Sequence, residues 1–207
     1  MDSNAEASQT AAIMHPTPRP PVSWTALIAM DEAAFGALLG PVVENSPWVA
    51  QRAWAARPFA DREQLFEAMA RVILGASRTE QQVLLQGHPE LAGQEARAGT
   101  MTADSQSEQG RLGLTALDAE SVRVIDHLNG CYRQRFGVPF IVALRQHANL
   151  ASVLKSFDRR LQNDVETEFG EALQQVCEVM RGRLNQTVLP PSPASSTPVP
   201  TLSGSPS

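Results

Sequence analysis

The chain has 207 residues, 43% of them hydrophobic, with a formal net charge of -5. That is enough for one domain with a substantial core, or at most two small ones, and too apolar for a disordered chain. The acidic balance argues against a nucleic-acid partner, which would need clustered Lys and Arg, but leaves room for a small anion pocket built on one arginine.

Residues 1–21 are expected to be a disordered leader. MDSNAEASQT has neither the basic residues nor the apolar stretch of a secretory signal, so a cytoplasmic location is expected, and HPTPRPP cannot sustain a helix. A folded domain is expected over residues 22–187. Asp31 can cap a helix whose apolar stripe includes Phe35, Leu38 and Leu39. Asp61 precedes a second, with Leu65, Phe66, Met69, Val72 and Ile73 on one side. Gln81 to Gln86 reads as a short helix stopped by Gly87. Asp118 opens a long helix through Val122, Ile125, Leu128 and Tyr132, with Gly137 as its stop. Two further stripes follow, Leu150, Val153, Leu154, Phe157 and Leu161, then Phe169, Leu173, Val176, Met180 and Leu184. No alternating strand pattern and no internal repeat is visible. The expected fold is all-α, a single bundle-like domain of six or more helices.

Val138 to Leu144, VPFIVAL, breaks the pattern. It is continuously apolar, too short for a typical helix and too hydrophobic for a surface loop, so a buried extended segment is expected. Its backbone N–H and C=O groups then need partners other than a ladder, which makes it a candidate wall for a polar ligand. From about Leu189 the composition turns to Pro and Ser, and residues 188–207 are expected to be a disordered tail with no peroxisomal Ser-Lys-Leu ending. No apolar run approaches the roughly 20 residues that span a bilayer, so no membrane partner is expected. Cys131 and Cys177 have no Cys-x-x-Cys partner and read as reduced thiols; most zinc templates are thereby excluded, and no metal is expected.

Three side chains could carry chemistry. His88, between Gly87 and Pro89, is expected at a helix start, whose positive end would hold the ring near neutrality; a cap or surface histidine is the plainer alternative. Ser105 and Glu108 fit a Ser-x-x-Glu capping box; alternatively the Glu108 carboxylate faces a pocket while N–H groups around Ser105 to Gln109 bind a polar ligand. Arg145, directly after the apolar segment, could hold a carboxylate in a bidentate pair or be an ordinary surface arginine.

HPELAG from His88, TADSQSEQ from Thr102, LNGCYRQRFGVPFIVALR from Leu128 and FDRRLQND from Phe157 follow LGPVVENSPWVAQRAWAARPF from Leu39. In that order, these segments make the chain resemble the OHCU decarboxylases (2-oxo-4-hydroxy-4-carboxy-5-ureidoimidazoline decarboxylases), from about Trp24 to Leu184. Glu44, Ser46, Pro47 and Trp48 look like the family's N-terminal signature. Departures are mild: Val138 stands where Phe is common and Gln94 where Lys is common.

The resemblance implies decarboxylation of OHCU to (S)-allantoin and carbon dioxide, the last step from urate, without metal or organic cofactor. It implies His88 as the acid/base, Glu108 orienting the substrate's hydroxyl or the histidine, and Arg145 contacting the anionic substrate. Pro89 is implied to line the pocket, with Ser105, Gln106, Ser107, Glu108 and Gln109 and the backbone of Phe140, Ile141, Val142, Ala143 and Leu144 binding the ring and ureido groups. A homodimer is also implied. The alternatives are a related lyase or hydrolase on the same scaffold, or a non-catalytic helical adaptor.

Overall fold

A computed structural model of the chain describes residues 20–98 and 100–192; the expected leader, almost entirely, and most of the expected tail lie outside the described residues. Within them run ten α-helices: α1 (Trp24–Ile28), α2 (Glu32–Leu39), α3 (Trp48–Ala53), α4 (Arg62–Leu74), α5 (Arg78–Gln86), α6 (Gln94–Ala98), α7 (Ala103–Arg111), α8 (Ala119–Phe136), α9 (Leu150–Arg160) and α10 (Val165–Thr187). Three 3-10 turns, Gly40–Val42, Trp54–Ala56 and Leu144–Gln146, join them. Among the described residues the one extended pairing is an isolated parallel bridge between Val22 and Val188. The fold is all-α.

Short polar side chains set the helix starts by accepting orphan N–H groups, each such cap contributing about 1 kcal/mol. Asp31 takes the N–H of Ala34 (2.8 Å), Asp61 that of Gln64 (2.9 Å) and Asp118 that of Ser121 (2.8 Å). Gly137 ends α8 at φ 72°, a left-handed position that glycine occupies without a Cβ clash.

Two starts differ from expectation. The helix expected from Gln81 begins at Arg78, because Ser77 and Glu80 form the capping box: Ser77 Oγ accepts from Glu80 N–H (3.3 Å) and Glu80 Oε2 from Ser77 N–H (2.9 Å). Ser105 and Glu108 form none. Thr102 caps α7 instead, its Oγ1 accepting from Ser105 N–H (3.4 Å), which places Ser105 inside the first turn.

The last helix is the centre of the packing. α10 lies against α4, α5 and α8 and buries Leu173, Val176, Met180 and Leu184. Val138–Leu144 is buried throughout, with residues 139–143 in no helix or strand and Leu144 opening the last 3-10 turn. Its ring contacts are dense: Phe140 stacks on Phe157 at 3.8 Å and meets Tyr132 edge-on at 5.3 Å.

Two of the segment's polar groups are met by side chains. Arg160, fully buried on α9, donates from Nη1 to Ile141 O (2.6 Å) and from Nε to Glu168 Oε1 (2.8 Å), while Gln175 Oε1 accepts from Ala143 N–H (2.8 Å). Tyr132 OH also donates to Glu168. Through Arg160 the FDRRLQND segment therefore props this wall.

The structured domain runs past residue 187. Val188 is completely buried, its carbonyl accepts from Arg62 Nη1 (2.8 Å), and Leu189 N–H donates to Val22 O (2.9 Å). Ending the chain after Thr187 removes all three interactions. The expected loss in a urea titration is about 2–4 kcal/mol, mainly the burial of one valine plus two hydrogen bonds. A chain ending after Ser192 should unfold like the full-length protein; equal midpoints for the two truncations would refute the docking of Val188.

Candidate active site

His88 is the first residue beyond the C-cap Gly87 of α5, and its Nδ1 lies 2.9 Å from the carbonyl oxygen of Leu84. A carbonyl only accepts, so Nδ1 carries the proton, and Nε2 has no hydrogen-bond partner among the described residues. This corrects the expectation that His88 opens a helix. Proline suits the residue after a helix end as well as the first turn of the next, and here Gly87-His88-Pro89 closes α5; no helix begins at Pro89. The ring therefore sits by the negative end of a helix, which favours imidazolium. Burial outweighs it, pushing the pKa down to about 4; Arg183 pushes the same way, against the Leu84 carbonyl and Glu44.

Facing this histidine is an ion network that links α7, α10 and the segment after the first 3-10 turn. Arg183 on α10 donates from Nε to Glu108 Oε1 (3.1 Å) and from Nη2 to Glu108 Oε2 (3.0 Å), a parallel fork on the carboxylate. Its Nη1 donates to Glu44 Oε2 (2.6 Å), and Nη2 also donates to Ser105 Oγ (3.0 Å). Glu44 Oε2 accepts from Ser105 Oγ (2.9 Å) and Oε1 from Thr102 Oγ1 (2.8 Å).

Burial alone would disfavour both charges. For Glu44 it is outweighed by Arg183 and the two hydroxyls, which hold the pKa below the usual carboxylate value. For Arg183 it is outweighed by Glu108 and Glu44, and the pKa rises further.

A cavity of about 40 Å³, room for a few water molecules, lies between these groups. Its polar lining is His88, Ser105, Glu108, Gln109 and Arg183; its apolar lining is Pro89, Leu91, Phe140, Ile141, Val142, Leu144 and Val179. Gln109 ties α7 to the HPELAG loop, accepting from Ala92 N–H (2.8 Å) and donating to Glu90 O (3.3 Å). On the opposite wall, the N–H groups of Ile141 and Val142 have no protein acceptor among the described residues.

The residues expected from sequence divide accordingly. His88, Pro89, Ser105, Glu108, Gln109, Phe140, Ile141, Val142 and Leu144 come together around the cavity. Ser107, Ala143 and Arg145 line an adjoining cavity of about 210 Å³, and Gln106 lines neither. The N–H groups expected to bind a ligand are taken by the helix: Ser105 N–H goes to Thr102 Oγ1 and Gln106 N–H to Thr102 O (2.9 Å).

Arg145 is 41% exposed and ion-paired with Glu178. It lies flat across α10 at Gly182, where a Cβ would come within 2.9 Å of its Cδ. The guanidinium in the His88 cavity belongs to Arg183, which sequence reasoning passed over. A signal existed: Arg183 stands three residues after Met180 and seven after Val176, on the buried stripe of its helix, where an arginine needs buried partners.

No group of three or more His, Cys, Asp or Glu poised to hold a metal occurs among the described residues, and none of the helices is long and apolar enough to cross a membrane. A family model described as OHCU decarboxylase matches residues 28–185. Over 156 residues the chain is 38% identical to the 2-oxo-4-hydroxy-4-carboxy-5-ureidoimidazoline decarboxylase of Mus musculus, covering 75% of this chain and 87% of that one. Over 155 residues it is 36% identical to the protein of the same name from Haloferax volcanii, covering 75% and 89%. Among solved structures, an (S)-allantoin synthase superposes with a TM-score of 0.60 at 28% identity, over 79% of this chain and 53% of that one.

Proposed function

The chain belongs to the OHCU decarboxylase family, and from that premise we propose that it is the carboxy-lyase that converts OHCU to (S)-allantoin and carbon dioxide, with His88 as the acid/base. The observation that carries this reading is a buried, neutral histidine with one free nitrogen, sharing a small cavity with a buried arginine.

The substrate's name fixes the chemistry. C4 bears both a hydroxyl and a carboxylate, and C5 is joined to a ring nitrogen as an imine. When the C4–carboxylate bond breaks, its electron pair forms a C4–C5 double bond and the imine nitrogen accepts charge, taking a proton. The resulting enol becomes allantoin by losing the hydroxyl proton at C4 and gaining a proton at C5. One proton is drawn from water for each carboxylate that leaves as carbon dioxide.

In this reading His88 Nε2 accepts the hydroxyl proton and returns it to one face of C5. The Nδ1–H bond to Leu84 fixes the tautomer and stabilises the imidazolium formed in between. A transfer so positioned is worth about 10²–10⁴-fold. The incoming carboxylate brings negative charge beside the ring and raises its basicity from the low value of the free site.

Arg183 and the free N–H groups of Ile141 and Val142 orient the carboxylate and the ring oxygens. Glu108 aligns the hydroxyl. The apolar wall from Phe140 to Leu144 excludes water from the carbanion-like centre. A homodimer, implied by the resemblance, is part of the same reading; light scattering would settle it.

The test is turnover of freshly generated OHCU. The expected result is carbon dioxide release well above spontaneous decay, with optically active allantoin as product. A rate equal to spontaneous decay, or racemic product, would sink the reading.

A further inference from the structure

The cavity beside His88 is too small for its ligand. Binding pockets for small molecules usually run to roughly 300 Å³ or more, and this one holds about 40 Å³. A second cavity of about 210 Å³ adjoins it, and the two share the side chains of Glu108, Leu144 and Val179. Of these, Glu108 is the polar one, and it spans the boundary as the partner of Arg183.

The two glutamates on Arg183 are not equivalent. The side chain of Glu44 is 2% exposed and held by three donors: Arg183, Ser105 and Thr102. The side chain of Glu108 is 28% exposed and has Arg183 as its hydrogen-bond partner. Glu44 takes the Nη1 side of the guanidinium. Glu108 takes the Nε–Nη2 edge, the edge that matches a carboxylate in a two-point pair.

We propose that Glu44 is a positioning residue that fixes Arg183 from behind, and that Glu108 is a placeholder on the Nε–Nη2 edge, exchanged for the carboxylate of the substrate as it enters. The exchange replaces one carboxylate by another on the same two donors, so the Nε–Nη2 edge of Arg183 is never left without a carboxylate. It also removes the wall between the two cavities, opening the volume the ligand needs. The freed Glu108 then faces the hydroxyl it aligns. The exchange presupposes the carboxylate-bearing substrate proposed above.

The experiment uses two stable probes, 2-oxoimidazolidine-4-carboxylate and its uncharged carboxamide, titrated calorimetrically into the full-length protein. Glu108→Gln removes the competing charge and should bind the carboxylate about tenfold tighter than wild type, with the carboxamide changed far less. Glu44→Gln leaves Arg183 free to turn towards Glu108 and should bind the carboxylate about tenfold more weakly. If Glu44→Gln does not fold, Glu44→Asp, which keeps the charge but withdraws it by one methylene, should still weaken the carboxylate selectively.

Opposite signs for the two glutamates, confined to the charged probe, are the expected result. Glu108→Gln binding the carboxylate no better than wild type would overturn the placeholder. A Glu44 variant that folds and binds both probes like wild type would overturn the positioning role. Turnover of OHCU by the unmodified protein is measured separately, so failure of the exchange and failure of the functional reading give different results.

Discussion

Replacing His88 by Asn should lower the turnover of OHCU by about 10²-fold or more while leaving the melting temperature close to that of the unmodified protein. The choice of asparagine follows from the ring geometry. The amide nitrogen of Asn stands two bonds from Cβ, as Nδ1 of histidine does, so it can still donate to Leu84 O and satisfy that buried carbonyl. It puts no atom at the Nε2 position, and an amide exchanges no proton near neutral pH. Stereochemistry gives an independent readout. The enol intermediate is planar at C5, so a proton delivered from bulk water reaches both faces. Residual allantoin made by the variant should therefore drift towards the racemate. A stable variant that stays fast and stereoselective would remove His88 from the chemistry and make Glu108 the next donor to test.

What could be read from the sequence was what depends on near neighbours. The caps at Asp31, Asp61 and Asp118 and the stop at Gly137 act within one helical turn, and the structure has all four. The burial of Val138 to Leu144 was legible because seven consecutive apolar residues fit neither an amphipathic helix nor a surface loop; that Leu144 turns into a 3-10 helix was not.

The misreadings came from signals with two local meanings. Gly-His-Pro fits a helix exit as well as an entrance, and the Ser77–Glu80 box, one turn before Gln81, decides the matter by starting α5 earlier. Ser105-x-x-Glu108 fits a capping box, yet Ser105 Oγ is engaged by Glu44, 61 residues away in sequence, and Glu108 by Arg183, 75 residues away. No local pattern carries those pairings. Arg160 and Arg183 are different: each falls on the apolar stripe of its helix, and each is buried among carboxylates. A cation in such a register is readable as a buried network even when its partners are not.

The largest effect expected after that of His88 is at Arg183, and it separates the arginine found in the cavity from the arginine suggested by the sequence. Arg183→Lys keeps the positive charge, so Glu44 is not left as an unpaired buried anion, a loss that would cost about 3–5 kcal/mol and confound activity with unfolding. What lysine lacks is the planar fork. It cannot bond Glu44 through one nitrogen while presenting two parallel N–H groups to a carboxylate on the other edge. The expected result is a fall in kcat/KM for OHCU of about 10²-fold or more, since a charged hydrogen-bond pair lost from a buried binding site costs about 2–5 kcal/mol. Arg145→Gln makes the contrast. Arg145 is partly exposed, paired with Glu178 and confined to the outer cavity, and an exposed pair contributes about 1 kcal/mol or less. Its removal should lower kcat/KM by less than about tenfold, chiefly by weakening the approach of an anion and more so at low salt. The two variants measured side by side decide which guanidinium holds the substrate. A large loss for Arg145→Gln beside near-normal activity for Arg183→Lys would move the carboxylate site into the outer cavity and leave the buried Glu44–Arg183–Glu108 network a structural one.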